Sequence, residues 1–204
     1  FPLIIAFLIG IIPKFSNKFK QIFGLIMLIY SIMYLGFGYI QSKKAVDIAT
    51  KQLISKNFEP EEVRAIPTML NIFAFRIVAK DKNGNLQIGV VSTIAPCEIS
   101  FEEKLWNNHP FIEKALSSKR GKIFKWFSMN MFTSSIENDG EFTKINFHDQ
   151  RYGLITSPSK TIFNACAIFD KDGNLLSFES YKDRGKIKAF DEFEAIWRVV
   201  FNGK

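Results

Sequence analysis

The densest run of potential chemistry in the chain is HDQRYG, His148 to Gly153. A carboxylate, a guanidinium and a phenol within four residues, at what reads as a strand end, could grip an anionic or polar ligand. Arginine presents a planar fork, and an aspartate can orient it. Trp126 and Arg76 back the same constellation, so the candidate ligand-binding residues are Asp149, Arg151, Tyr152, Trp126 and Arg76. The competing reading is a structural ion pair, and the pattern favours it. In a strand from Phe142 to Asp149, Ile145 and Phe147 share one face, and Asp149 and then Arg151 continue that face. Burying two opposite charges costs several kcal/mol unless they pair and fill their hydrogen bonds.

Other reactive groups are few. Only two histidines occur. His148 adjoins Asp149 in a strand, so the two side chains point to opposite faces and cannot readily share a metal. His109 precedes Pro110 and reads as the start of a helix. No G-x-S-x-G, H-E-x-x-H or phosphate-cradling glycine loop appears, so the residues assign neither a catalytic group nor a metal ligand. Cys97 and Cys166 have no C-x-x-C spacing and lie in apolar surroundings, where thiols act as small hydrophobes. A disulfide between them would require an oxidising compartment.

The element that organises the chain is the apolar run Ile22 to Ile40, which holds no charge. At about 1.5 Å per residue it reaches roughly 28 Å as a helix, the thickness of a bilayer's hydrocarbon core. Helix is the state that satisfies its amides in lipid. A second apolar run, residues 1–12, is too short to cross unaided and reads as a truncated helix, as if the chain were the C-terminal part of a longer membrane protein. The membrane region is thus 1–41. The net charge of +7 and pI near 9.3 are explained by lysines beside these runs, which suit lipid headgroups better than nucleic acid. The lipid bilayer is the expected partner and nucleic acid is not. Lysines on both sides leave the orientation open.

Residues 42–60 form a helical stalk, with Ala45, Ile48, Ala49, Leu53 and Ile54 near one face and Pro60 closing it. Residues 61–204 form a soluble domain. Strands are expected over Asn71–Lys80 and from Leu86 to Ile94, across Asn83-Gly84. Arg76 interrupts the first of these, as an outward charge or half of an ion pair. Pro96 to Asn108 reads as irregular, Phe111 to Ser118 as a short helix, and Ile123 to Phe132 as aromatic core. A second hairpin spans Thr161–Asp170 and Leu175–Tyr181, and a closing amphipathic helix places Phe190, Phe193, Trp197, Val200 and Phe201 on the sheet. Its acidic residues argue against anionic lipid. No internal repeat is evident. The fold class is α+β: N-terminal transmembrane helices, then a soluble domain with an antiparallel β-sheet and flanking helices.

The ordered series IPTMLNIFAFRIVAKDKNG, KWFSMN, HDQRYG and FDKDGN resembles the C-terminal half of the bacterial membrane-bound metal-dependent hydrolases, the YdjM-like inner-membrane proteins. Phe1 to Ile40 is similar to that family's last two membrane helices, and Val63 to Phe178 to its soluble domain. Pro67, Asn71, Arg76, Trp126, Asp149, Arg151 and Tyr152 match its motifs, and Phe75 departs where tryptophan is usual. The resemblance implies a multi-pass protein of the bacterial inner membrane. It also implies a metal-dependent hydrolase whose divalent ion, of the zinc type, is held by histidine and aspartate motifs upstream of this chain. The alternative is a non-enzymatic membrane-anchored domain that binds or senses a small molecule.

Overall fold

The computed structural model describes residues 8–9, 16–69, 71–157, 160–182 and 189–203. The short apolar run expected over residues 1–12 lies outside them except at Leu8 and Ile9, which are helical. The chain divides into two compact units, Phe1–Lys43 and Lys44–Lys204. Helix α1, Asn17–Ser55, contributes to both. By length and composition it can cross a membrane, and none of its apolar window is buried. Its C-terminal turns differ: Ala45, Ala49 and Leu53, spaced by one turn, are fully buried. Ile54, expected beside them, is exposed.

The second unit is α+β, with two antiparallel four-stranded meanders. Sheet A runs β1 (Glu62–Pro67), β2 (Ala74–Lys80), β3 (Leu86–Ser92) and β4 (Glu102–Lys104). Sheet B follows α2 (Pro110–Ser117) and α3 (Lys119–Phe127) with β5 (Phe132–Asn138), β6 (Thr143–Asp149), β7 (Phe163–Phe169) and β8 (Leu175–Lys182). Helix α4, Ala189–Asn202, closes the chain. Strand β4 lies in the stretch read from sequence as irregular.

Sheet A is covered on both faces, so β2 is buried almost throughout rather than on alternate residues. On one face Phe75, Ile77, Val91 and Ile99 form a cluster with Ala45 and Ala49. Gln52 reinforces it: its amide donates to the Cys97 carbonyl (2.9 Å) and its Oε1 accepts from Ile99 N (2.7 Å). On the other face Ala74 packs with Ile196, Val199 and Val200 of α4. Sheet B is packed by phenylalanines. Phe124, Phe132, Phe147 and Phe178 have ring centroids 5.5–6.3 Å apart along the cluster, and Phe111 stacks on Phe169 at 4.7 Å. Offset and edge contacts of this kind add to the burial of the rings themselves.

Two expectations about aromatic residues need correction. Within Ile123–Phe132, Phe124, Met131 and Phe132 are buried; Ile123, Trp126 and Phe127 are exposed because α3 can turn only one face to sheet B, and Met129 is exposed in the turn that follows. In α4 the buried residues are Glu192, Ile196, Val199 and Val200, whereas Phe190, Phe193, Trp197 and Phe201 face outward. The helix carries two apolar stripes, and the aliphatic one lies against Ala74.

A turn does recur, although no repeat was expected. Asp81-Lys-Asn-Gly-Asn85 and Asp170-Lys-Asp-Gly-Asn174 are five-residue hairpin tips of one design. In each, the aspartate Oδ1 accepts from the asparagine backbone N–H (2.8 and 2.7 Å) and Oδ2 from its side-chain amide (2.8 and 3.1 Å). Gly84 and Gly173 take φ of 89° and 76°, which L residues rarely adopt. Asp170 is held below the usual carboxylate range, first by the Asn174 backbone N–H and then by its side chain. Asp139 is held down by Phe142 N and Glu141 N at another tip. A carboxylate depressed on folding stabilises above its unfolded pKa, and that contribution is lost as the pH falls through the folded one. NMR titration should place both carboxyls below the ordinary aspartate value of about 3.9, and midpoints at or above it would contradict these turns.

Candidate functional site

The site grows from a charge inside strand β2. Arg76 is 3% exposed, and a buried guanidinium needs hydrogen bonds and counter-charge. Its Nε donates to the Gln150 carbonyl at 2.7 Å. Burial pushes its pKa down to about 10, while Glu102, Asp149 and Glu192 oppose that fall, so it stays cationic at neutral pH. Gly153 passes so close that a Cβ there would lie 2.4 Å from the Arg76 guanidinium. The glycine of HDQRYG is therefore a clearance for Arg76.

Asp149 ends β6 on its buried face, as the alternation predicts. It accepts from Arg151 through both oxygens, Nε to Oδ1 at 2.9 Å and Nη2 to Oδ2 at 2.6 Å, and from the Arg151 backbone N–H at 3.1 Å. The ion pair is closed and buried on both sides. The Arg151 guanidinium lies 5.0 Å from the ring centres of both Phe127 and Tyr152, and Phe127 and Tyr152 each meet Phe163 edge-on. Further along the same loop, the Glu192 carboxylate of α4 accepts from Ile155 N and Thr156 N at 2.9 Å, and from the Thr156 hydroxyl. Residues 149–156 thus join sheet A, sheet B and α4.

Of the five residues singled out in sequence, Arg76, Asp149, Arg151 and Tyr152 meet around this loop. Trp126 does not: it is 80% exposed, and its neighbour Phe127 takes the place beside Arg151. Gln150, Gly153, Glu192 and Phe127 were missed. Gln150 and Gly153 stood within the motif, whereas nothing local marks Glu192 as its partner. Pro67 and Asn71 are also architectural. Pro67 ends β1, and the Asn71 side chain accepts from Phe73 N and Ala74 N at 2.7 Å to shape the link into β2.

The charges decide what this cluster can attract. Two guanidinium groups, Arg76 and Arg151, sit among three carboxylates, Glu102, Asp149 and Glu192. Arg76 lines a cleft of about 500 Å³ with Glu98, Ser100 and Glu102, so two carboxylates share it with one guanidinium. The more apolar hollow, about 320 Å³, lies at Trp126, Phe127, Phe163 and Phe124, with Lys182 and Asn164 also in its lining.

The two histidines have separate tasks. His109 caps α2, its Nδ1 accepting from Phe111 N at 3.2 Å. His148 lies on the outer face of sheet B, with Nδ1 3.0 Å from Asn164 Oδ1 and Nε2 3.3 Å from Ser135 Oγ. That order of groups resembles a nucleophile, base and orienter. Ser135 is exposed on edge strand β5, opposite Asn146 of β6. Among the described residues no three His, Cys, Asp or Glu side chains gather as metal ligands, so these residues do not fit the divalent ion of the hydrolase resemblance. Cys97 and Cys166 are both free and half-buried, and burial pushes the Cys166 thiol up.

No protein-family model matches the chain, nor does any curated protein or solved structure.

Burial also pushes the Asp149 carboxyl above its usual range, against the hydrogen bonds and charge of Arg151. An acid whose pKa rises on folding loses stability as the pH climbs through that window, so ionisation by itself contributes nothing favourable at neutral pH. What the pair supplies is mutual compensation. Asp149→Asn leaves Arg151 buried and unbalanced and should cost about 3–5 kcal/mol in a thermal or denaturant melt, and adding Arg151→Met should restore most of it. A single variant that melts like the wild type would refute the structural role.

Proposed function

We propose that this chain is a membrane-anchored protein of the bacterial inner membrane, multi-pass in its full form and related to the metal-dependent hydrolases it resembles. In this reading Lys44–Lys204 is a non-catalytic positioning module, and the hydrolytic chemistry belongs to motifs outside the chain. Three observations support it: the ordered motif series, the length and apolarity of α1, and the closed pairing of Asp149 with Arg151 inside the motif. The last carries it, because Asp149 and Arg151 face each other rather than a ligand.

The test uses the chain as it stands. Membranes expressing it are extracted with alkaline carbonate, and the purified chain is analysed for bound metal. Retention in the membrane pellet without stoichiometric zinc or another divalent ion is expected. Release into the supernatant would overturn the anchor, and one tightly bound ion per chain would overturn the placing of the chemistry elsewhere.

A second reading is favoured by the hollow beneath Trp126. Its volume is near the lower end for small-molecule sites, roughly 300–1,000 Å³, and its lining is largely aromatic and includes one lysine. This suits a slender apolar ligand with an anionic head, such as a medium-chain fatty acid. Laurate titrated against intrinsic fluorescence should give a saturable change that Trp126→Ala abolishes and Lys182→Gln weakens about tenfold, the effect of roughly 1.4 kcal/mol. An unchanged response in Trp126→Ala would exclude this site.

A further inference from the structure

Helix α4 presents two apolar faces. One is buried on sheet A through Ile196, Val199 and Val200. The second carries Phe190, Phe193, Trp197 and Phe201, at positions that stack along one stripe of a helix. All four are exposed, Phe190 by 78% and Phe201 by 61%. Their rings run together: Phe193 meets Trp197 edge-on at 5.7 Å, and Trp197 stacks on Phe201 at 5.3 Å and 6°. This ridge exposes on the order of 450 Å² of aromatic surface, the size of the largest apolar patch on a typical monomer, which is often functional.

Two of the helix's acidic residues are engaged within the protein. Glu192 is turned inward and held by Ile155 and Thr156. Glu194 is paired with Arg198 one turn on, at 2.6 Å. Of the helix's three acidic residues, both glutamates are thus engaged within the protein, and Asp191 is exposed in the first turn. In sequence, the residues leading into the helix, KDRGKIK at 182–188, hold four basic residues against one acidic, a charge that suits anionic headgroups.

We infer that the aromatic ridge of α4 docks into the headgroup and acyl boundary of a bilayer, as a second, peripheral membrane contact. The inference rests on the anchored reading above, since α1 is what keeps a bilayer within reach. A second copy of the chain is a poorer occupant: a stable dimer buries about 800 Å² per partner, well beyond this ridge. Lipid needs no matching shape. Tryptophan and phenylalanine on one stripe of a helix are the residues that partition to that boundary.

The experiment reconstitutes the full chain into vesicles of three parts phosphatidylcholine to one part phosphatidylglycerol, with and without bromine in the upper acyl chain. The difference between wild type and Trp197→Phe isolates the α4 indole, because Trp106 and Trp126 are present in both. Bromolipid is expected to reduce that difference emission about twofold or more. Phe190→Ser with Phe201→Ser should weaken the quenching while the chain melts like the wild type. Vesicle flotation that retains the chain, with a Trp197 signal untouched by bromolipid, would overturn the docking and leave the anchor standing. A signal shielded from aqueous iodide but not quenched by bromolipid would assign the ridge to a second copy instead. Loss of the chain from floated vesicles would overturn the anchor, and the docking with it.

Discussion

Arg76 is a cation in the middle of a strand that is covered on both faces, and much of the second unit is arranged to make that tolerable. Removing a guanidinium from water costs several kcal/mol unless hydrogen bonds and opposite charges replace the solvent. Gln150 supplies a carbonyl, three carboxylates supply the field, and Gly153 supplies room. Those groups come from sheet A, sheet B, the loop after β6 and α4. Meeting the needs of one side chain therefore fixes how these elements meet.

The Asp149–Arg151 pair works beside it. An exposed ion pair adds little to stability, but a buried one punishes the loss of either member. Its fork geometry holds the start of the loop, and Phe127 and Tyr152 cover the guanidinium plane. Polar residues close together in sequence thus act as an internal joint. In that joint the Asp149 carboxylate and the Arg151 guanidinium face each other rather than an incoming ligand.

The exposed aromatic surfaces share a cause. Sheet B uses Phe124, Phe132, Phe147 and Phe178 as its core, yet α3 and α4 are single helices that can each bury only one stripe. Trp126 and the α4 ridge remain outside. Aromatic residues left on a helix after its core face is satisfied are an exposed apolar cost, and a lipid boundary is the environment in which that cost disappears.

Several features were determined by local pattern alone. The uncharged run Ile22–Ile40 determines a helix of spanning length, the alternation Ile145, Phe147, Asp149 determines which face the aspartate takes, and His109-Pro110 determines where a helix begins. Each depends on residues within one or two turns of one another, so a linear reading reaches it. The α+β class followed from the same patterns. The partner of Arg76, the inward turn of Glu192, the exposure of Trp126 and the choice of the aliphatic stripe over the aromatic one in α4 were not legible. They depend on which side chains from distant segments compete for one face of a sheet. That competition is settled by volume and charge in three dimensions, where Ala74 accepts valine and isoleucine and Arg76 requires a carbonyl from a loop 74 residues further along the chain.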